Sequence, residues 1–349
     1  MCNIAGYIGD KQAAPILLEM LKKQEIYDAG GSAGIATIHE GKLYYKKFLG
    51  NAKELEKEID FSELPGTIGI AHVRPARTYL SHSHPYVSLN GKLAMVSNGT
   101  TPYDEEMIVR RDKITNELYD KGYDFETKHT AETSSFPQLK SGEYVSALDV
   151  VVNLAQEYIN NGYAPLCAQT KALDDMYSER VGCMINADEP DCIGVVRLSR
   201  PMEILMAEGE TYIATTRFGF PEDVKGDVYS LPVQHCCKVT KTGFEVLPYR
   251  AETDTVAEIT PDTYMKAYNK VEDMLLNATK ENPVIYDDVE ITLSKMPELW
   301  DEQHKISQYA KVGYDILWQI HKEGRMKTFI TQQQKPAGWS RDLIAMYID

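Results

Sequence analysis

Met1-Cys2-Asn3-Ile4-Ala5-Gly6-Tyr7-Ile8-Gly9 opens the chain, and the fold turns on how Cys2 is read. Removal of Met1 would leave a thiol and a free α-amine on one residue. An unperturbed α-amine titrates near pH ~8 and a thiol near ~8.5, so the pair can exchange a proton at neutral pH without an imported histidine. That suits acyl transfer. Taken alone, a cysteine ahead of an apolar run reads equally as the start of a buried β-strand, and the residues further along decide between the two.

At 349 residues with 43% hydrophobic content, the chain can bury one large core or divide in two. A formal charge of -15 argues against a general nucleic-acid or anionic-membrane surface. No stretch approaches the ~20 apolar residues of a membrane span, and no basic region followed by an apolar run opens the chain. The expected location is cytoplasmic, with no nucleic-acid or membrane partner. Six cysteines, Cys2, Cys167, Cys183, Cys192, Cys236 and Cys237, are too sparse for a disulfide scaffold and read as thiols.

The first 250 residues alternate strand and helix patterns. Asn3 to Ile8 is a short apolar run, and Ile16, Leu17, Met20 and Leu21 recur at helical spacing after it. The glycine-rich stretch Gly30-Gly31-Ser32-Ala33-Gly34 lacks the spacing and lysine of a phosphate loop, so close backbone packing is its expected task. A hairpin turned at Glu40-Gly41 follows, then strands over 67–73 and 92–96, helices over 105–121 and 147–160, and a strand meander from Val181 to Val246. Such a pattern fits stacked sheets covered by helices. Near residue 250 the character changes. Thr260-Pro261-Asp262 is a helix start, further helices are expected over 287–295, 298–310 and 314–323, and strands over 326–331 and 342–348. Residues 251–349 therefore read as a small, mainly helical, winged-helix-like module, whose excess of acidic residues favours dimerisation or partner docking over DNA.

Four fragments follow Cys2 in order: Tyr27-Asp28 ahead of Ser32-Ala33-Gly34-Ile35-Ala36; Gly69 to Thr78, with a strand ending on Arg74; Val96-Ser97-Asn98-Gly99; and Gly122-Tyr123-Asp124-Phe125 ahead of Thr130-Ala131-Glu132-Thr133. Together they resemble the class II glutamine amidotransferases, over roughly residues 2 to 247. The resemblance implies an α+β fold, the four-layer αββα sandwich of N-terminal-nucleophile hydrolases, in a domain spanning 2–250.

It also implies hydrolysis of the glutamine side-chain amide by the Cys2 thiolate, with its α-amine moving the proton to departing ammonia. The Asn98 side-chain NH2 and the Gly99 backbone N–H match the family's oxyanion hole, where losing one donor typically costs ~3–4 kcal/mol. Arg74 would hold the substrate α-carboxylate by a bidentate fork, and Glu132, where the family usually has aspartate, its α-amine. Pro75 removes a backbone N–H beside the pocket and Arg77 adds positive charge at its mouth, so both are expected to bear on substrate binding and on whether glutamine or another γ-glutamyl amide is cleaved.

No metal or cofactor is expected. His82-Ser83-His84 and His129 with Glu132 lack evident further ligands. The residues after 250 are too few for a sugar-phosphate isomerase or a phosphoribosyltransferase, so a separate synthase subunit is the expected ammonia acceptor, and homo-oligomerisation through the C-terminal module is a further expectation. Two alternatives stand beside this reading. One is a bile-salt or penicillin-acylase-like amidase, which binds bulky apolar acyl groups; the other is a degenerate glutamine-binding or scaffold protein, which retention of Met1 would favour.

Overall fold

A computed structural model describes residues 2–99, 105–131, 136–176, 181–249, 256, 259–301 and 306–348. Up to residue 250 the elements are β1 (Asn3–Ile8), α1 (Ala13–Asp28), β2 (Ser32–His39), β3 (Lys42–Phe48), α2 (Ala52–Glu58), β4 (Ile68–Arg74), β5 (Tyr86–Val87), β6 (Leu93–Asn98), α3 (Glu105–Asp120), α4 (Ala147–Asn160), α5 (Pro165–Asp175), β7 (Val181–Asn186), β8 (Glu189–Arg197), β9 (Glu203–Ala207), β10 (Glu210–Ala214), β11 (Asp227–Ser230), β12 (His235–Thr240) and β13 (Gly243–Pro248).

β1 is buried along its whole length, and its period of two serves two cores. Ile4 and Ile8 point one way, into a cluster with Ala94, Val96, Cys183, Ile193, Val195 and Val239. Ala5 and Tyr7 point the other way, against Leu17 and Leu21 of α1. Gly6 faces the first cluster, where an added Cβ would stand 3.1 Å from Ile213. The strand lies at the centre of a seven-stranded sheet, β11-β9-β10-β1-β4-β2-β3, all antiparallel. A six-stranded antiparallel sheet, β13-β12-β8-β7-β6-β5, supplies the other half of the first cluster. Its far face carries Met95, Met184, Val196 and Cys236, which pack against Val151, Leu154, Ala172 and Leu173 of α4 and α5.

The remaining elements are α6 (Pro261–Leu276), β14 (Val284–Ile285), α7 (Tyr286–Leu293), β15 (Trp300–Asp301), β16 (Ile306–Ser307), α8 (Tyr309–Lys322), β17 (Met326–Gln334) and β18 (Ser340–Ile348), with a sheet in the order β14-β18-β17. Thr260 caps α6 as its sequence indicates, accepting from the Thr263 N–H at 3.2 Å. The helix expected over 298–310 does not form. A single 3-10 turn and the short pair β15/β16 take its place, because Pro297 starts a turn and the sequence Asp301-Glu302-Gln303-His304-Lys305 offers no apolar residue to maintain a helical stripe. This C-terminal part shares its core with α1. Tyr27 stacks on Phe218 at 4.6 Å and meets Tyr314 edge-on at 6.0 Å, within a cluster that includes Val271, Val289, Ile316 and Met346. Among the described residues no helix is long and apolar enough to cross a membrane.

Candidate active site

The register that sets Asn3 opposite Val73 brings Cys2, just ahead of β1, to the end of β4, where Arg74 sits. Asn98 closes β6 and reaches across from the other sheet. Its Nδ2 donates to the Cys2 carbonyl oxygen at 2.8 Å and to Thr215 Oγ1 at 3.3 Å. Thr215 is itself pinned, its Oγ1 accepting from the Ile4 N–H at 2.8 Å and its own N–H donating to Gln24 Oε1 at 3.0 Å. The Asn98 side chain is therefore buried and fixed, while Cys2 is half-buried.

His72, two residues before Arg74 on β4, sets the orientation of that amide. Its Nε2 lies 3.1 Å from Asn98 Oδ1. An amide oxygen only accepts, so the His72 proton resides on Nε2 and Asn98 must turn its NH2 towards Cys2. Burial, helped by the Arg74 cation, pushes the His72 ring down to about 3, so it is neutral at physiological pH. His84 stacks on it at 3.8 Å and its Nδ1 accepts from the Ser97 N–H at 3.3 Å. The last two residues of β6 are thus each held by an uncharged imidazole. His72 falls inside the Gly69 to Thr78 fragment, and its i, i+2 spacing from Arg74 on a strand, which puts both on one face, is the signal in the sequence that points to it.

Burial pushes the Cys2 thiol up, with Arg74 and Arg200 pulling it down and Glu290 adding to the rise. A thiol so placed needs a base to become a nucleophile. Arg200 is buried, its Nη1 3.7 Å from Glu290 of α7 and its guanidinium 5.4 Å from the Tyr309 ring.

Among the described residues the Arg74 side chain makes one hydrogen bond, from Nη1 to the His82 carbonyl at 2.6 Å, and pairs with no carboxylate. Pro75 lies with its carbonyl against Gly31, where an added Cβ would stand 2.5 Å from that oxygen; the glycine stretch does serve close backbone packing. Arg77 is engaged by Glu54, by the Leu49 carbonyl at 3.0 Å and by the Trp339 ring at 5.5 Å, so its charge is shared with α2 and β18's leading turn. Gly99 is exposed just beyond β6, and Glu132 lies outside the described residues. The histidines divide into two pairs. His72 stacks with His84, whereas His82 and His129 both bond the Thr127 carbonyl, at 3.2 and 3.0 Å. Arg197 has a structural task, donating to the carbonyls of Ser199, Arg200 and Leu231.

Comparison with known proteins bears on this arrangement. No protein-family model matches the chain. The glutamine–fructose-6-phosphate aminotransferase [isomerizing] of Caldanaerobacter subterraneus subsp. tengcongensis is 34% identical over 221 residues, covering 62% of this chain and 31% of that protein. The Clostridium tetani protein of the same name is 30% identical over 249 residues, covering 70% and 36%. The chain carries a class II glutamine amidotransferase domain. Among solved structures, the B. subtilis glutamine phosphoribosylpyrophosphate amidotransferase complexed with ADP and GMP superposes with a TM-score of 0.57 at 16% identity, covering 94% of this chain and 66% of that one. That likeness concerns fold, and it extends past the amidotransferase domain into the C-terminal elements. The chain spans about a third of the length of the curated relatives it matches.

Proposed function

We propose that this protein hydrolyses the side-chain amide of glutamine, or a related γ-glutamyl amide, and releases ammonia to a separate acceptor enzyme. The observation that carries the reading is the Asn98 amide held 2.8 Å from the Cys2 carbonyl by a neutral histidine, beside an arginine with no carboxylate partner among the described residues. In this reading residues 2–250 form the αββα amidotransferase domain, and residues 251–349 a module with winged-helix connectivity that supports contacts with another copy or a partner subunit. Six free thiols suit a cytoplasmic setting.

Arg74 binds the substrate α-carboxylate through paired N–H···O bonds, and Glu132 its α-ammonium. After removal of Met1, the α-amine of Cys2 takes the thiol proton and the thiolate attacks the amide carbon. Negative charge builds on the carbonyl oxygen, which Asn98 Nδ2 and the Gly99 N–H stabilise. Both Asn98 amide protons have acceptors in the free site, and the longer bond, to Thr215, is the one the oxyanion replaces. The C–N bond breaks as the α-ammonium returns its proton to nitrogen, giving ammonia and a γ-glutamyl thioester. Water then adds to the thioester, the C–S bond breaks, and glutamate leaves.

The test is release of glutamate and ammonia from glutamine by the purified protein and its Cys2→Ala variant. Turnover abolished in the variant supports the reading. Equal turnover in both, or preferential cleavage of apolar acyl amides over glutamine by the wild type, would overturn it.

A further inference from the structure

We infer that the C-terminal hairpin β17–β18 positions the substrate-binding loop through Arg341 and Trp339; the inference rests on the reading of Arg74 as the carboxylate clamp. Arg74 is fastened weakly by its own side chain, with one hydrogen bond to the His82 carbonyl. Its backbone is held at the end of the β2–β4 ladder, where Arg74 pairs with Ser32, so its placement follows the chain at residues 30–32. Gly31 donates its N–H to the Arg74 carbonyl at 2.7 Å, and the space a Cβ would need there is filled by the Pro75 carbonyl. Gly30, at φ +98°, turns the chain into this contact, and a Cβ on it would stand 3.5 Å from Cβ of Arg341. Glycine pair and clamp loop are thus in direct contact, and the hairpin lies next to them, one methyl group's width from Gly30.

Arg341 is the fixed point of that stack. It is 3% exposed, and each of its three nitrogens donates: Nη1 to Asp28 at the end of α1 at 2.9 Å, Nη2 to Asp287 of α7 at 2.8 Å, and Nε to Gln333 of the neighbouring strand at 2.8 Å. Lysine could not satisfy three acceptors in these directions. A second tether reaches the same loop from the same turn, where the Trp339 ring covers the Arg77 guanidinium. A third runs through α2, whose Lys53 pairs with Asp342 at 2.6 Å while its Glu54 holds Arg77.

A bidentate clamp tolerates displacements of only ~0.5 Å, and a shift of ~1 Å from a remote change can cost ~10²-fold. Arg341 and Trp339 are accordingly positioning residues for Arg74, and the C-terminal elements set substrate affinity without touching substrate.

The experiment uses the full chain and the variants Trp339→Leu, Arg341→Lys and Arg341→Gln. It measures KM and kcat for glutamate release, together with the glutamine concentration that halves alkylation of Cys2 by iodoacetamide. Coupling of this kind is typically worth ~2- to 30-fold. The expected order is a rise in KM of roughly twofold for Trp339→Leu, more for Arg341→Lys and about tenfold for Arg341→Gln, with kcat and unprotected alkylation little changed. A purely structural role would lower yield or Tm and leave KM of the folded protein alone. If Arg341→Gln does not fold, the other two variants decide. Wild-type KM in folded Trp339→Leu and Arg341→Lys, or a fall in kcat at unchanged KM, would overturn the inference. A wild-type protein showing neither turnover nor protection by glutamine would overturn the underlying reading of the site, and is recognised by the wild type itself failing.

Discussion

Arg74 and Arg341 flank the same pair of glycines, and the structure treats them in opposite ways. Arg341 is buried between two carboxylates and an amide oxygen. Arg74 has a single backbone carbonyl and, among the described residues, no anion. A cation that holds two parts of a molecule together must be neutralised where it lies, because an unpaired buried charge costs several kcal/mol. One that is to bind a substrate carboxylate must keep its charge available. The same contrast separates the two surroundings. Next to Arg74 the imidazoles of His72 and His84 are neutral, whereas the hairpin is tied down by ion pairs, Lys53–Asp342 beside Arg341–Asp28 and Arg341–Asp287.

Substitutions can break this contrast at either end. The largest effect is expected from Cys2→Ala, which should lower glutamate release by about 10⁴-fold or more while leaving the urea midpoint nearly unchanged, since a half-buried thiol carries little stability. Next come the two arginines. Arg341→Met strands Asp28 and Asp287 and should cost about 3–5 kcal/mol in urea unfolding. Arg74→Met should leave stability within ~1 kcal/mol but remove roughly 2–5 kcal/mol of substrate binding, read as a rise in KM. It should also move iodoacetamide alkylation of Cys2 to higher pH, because Arg74 is one of the cations that holds the thiol down. Similar losses in stability for both arginine variants would erase the distinction.

Asn98→Ala should reduce kcat by ~10²–10³, and His72→Ala should reproduce part of that loss without altering KM. A smaller and purely structural effect belongs to Glu25 of α1. It is buried, accepts the Ala52 N–H at 2.6 Å, and burial pushes its carboxyl up to about 7. The folded state then holds a proton that the unfolded chain, titrating near ~4.3, gives up, so stability falls as pH rises from about 4.3 to 7 and stays lower above it. Glu25→Gln should flatten this slope by roughly 1–3 kcal/mol, measured as urea midpoints across that window; an unaltered slope would place the titrating group elsewhere.

Local patterns carried much of the fold. The two-sided burial of β1 follows from a continuous apolar run, α4 occupies the expected 147–160, and the Thr260-Pro261 start opens α6. α5 was not legible, because its buried face is built largely from Ala168, Ala172 and Gln169, which make no strong periodic signal. At the proposed site, Cys2, Arg74 and Asn98 stand out in short fragments because each lies at the beginning or end of a strand. Arg77 shows the limit. Its sequence neighbours suggest a charge at a pocket mouth, but its partners come from α2 and from Trp339, and nothing local foretells that pairing. Arg341 and Glu290 were invisible for the same reason, being delivered by tertiary packing.

The most direct test is the mass of the N-terminal peptide after treatment of the purified protein with a diazo-ketone analogue of glutamine. The peptide should begin at Cys2, carry one analogue on its sulfur, and lose that label when free glutamine is present in excess. A peptide that retains Met1 and stays unlabelled, or a label on another residue that glutamine does not displace, would contradict an N-terminal cysteine nucleophile in a glutamine site.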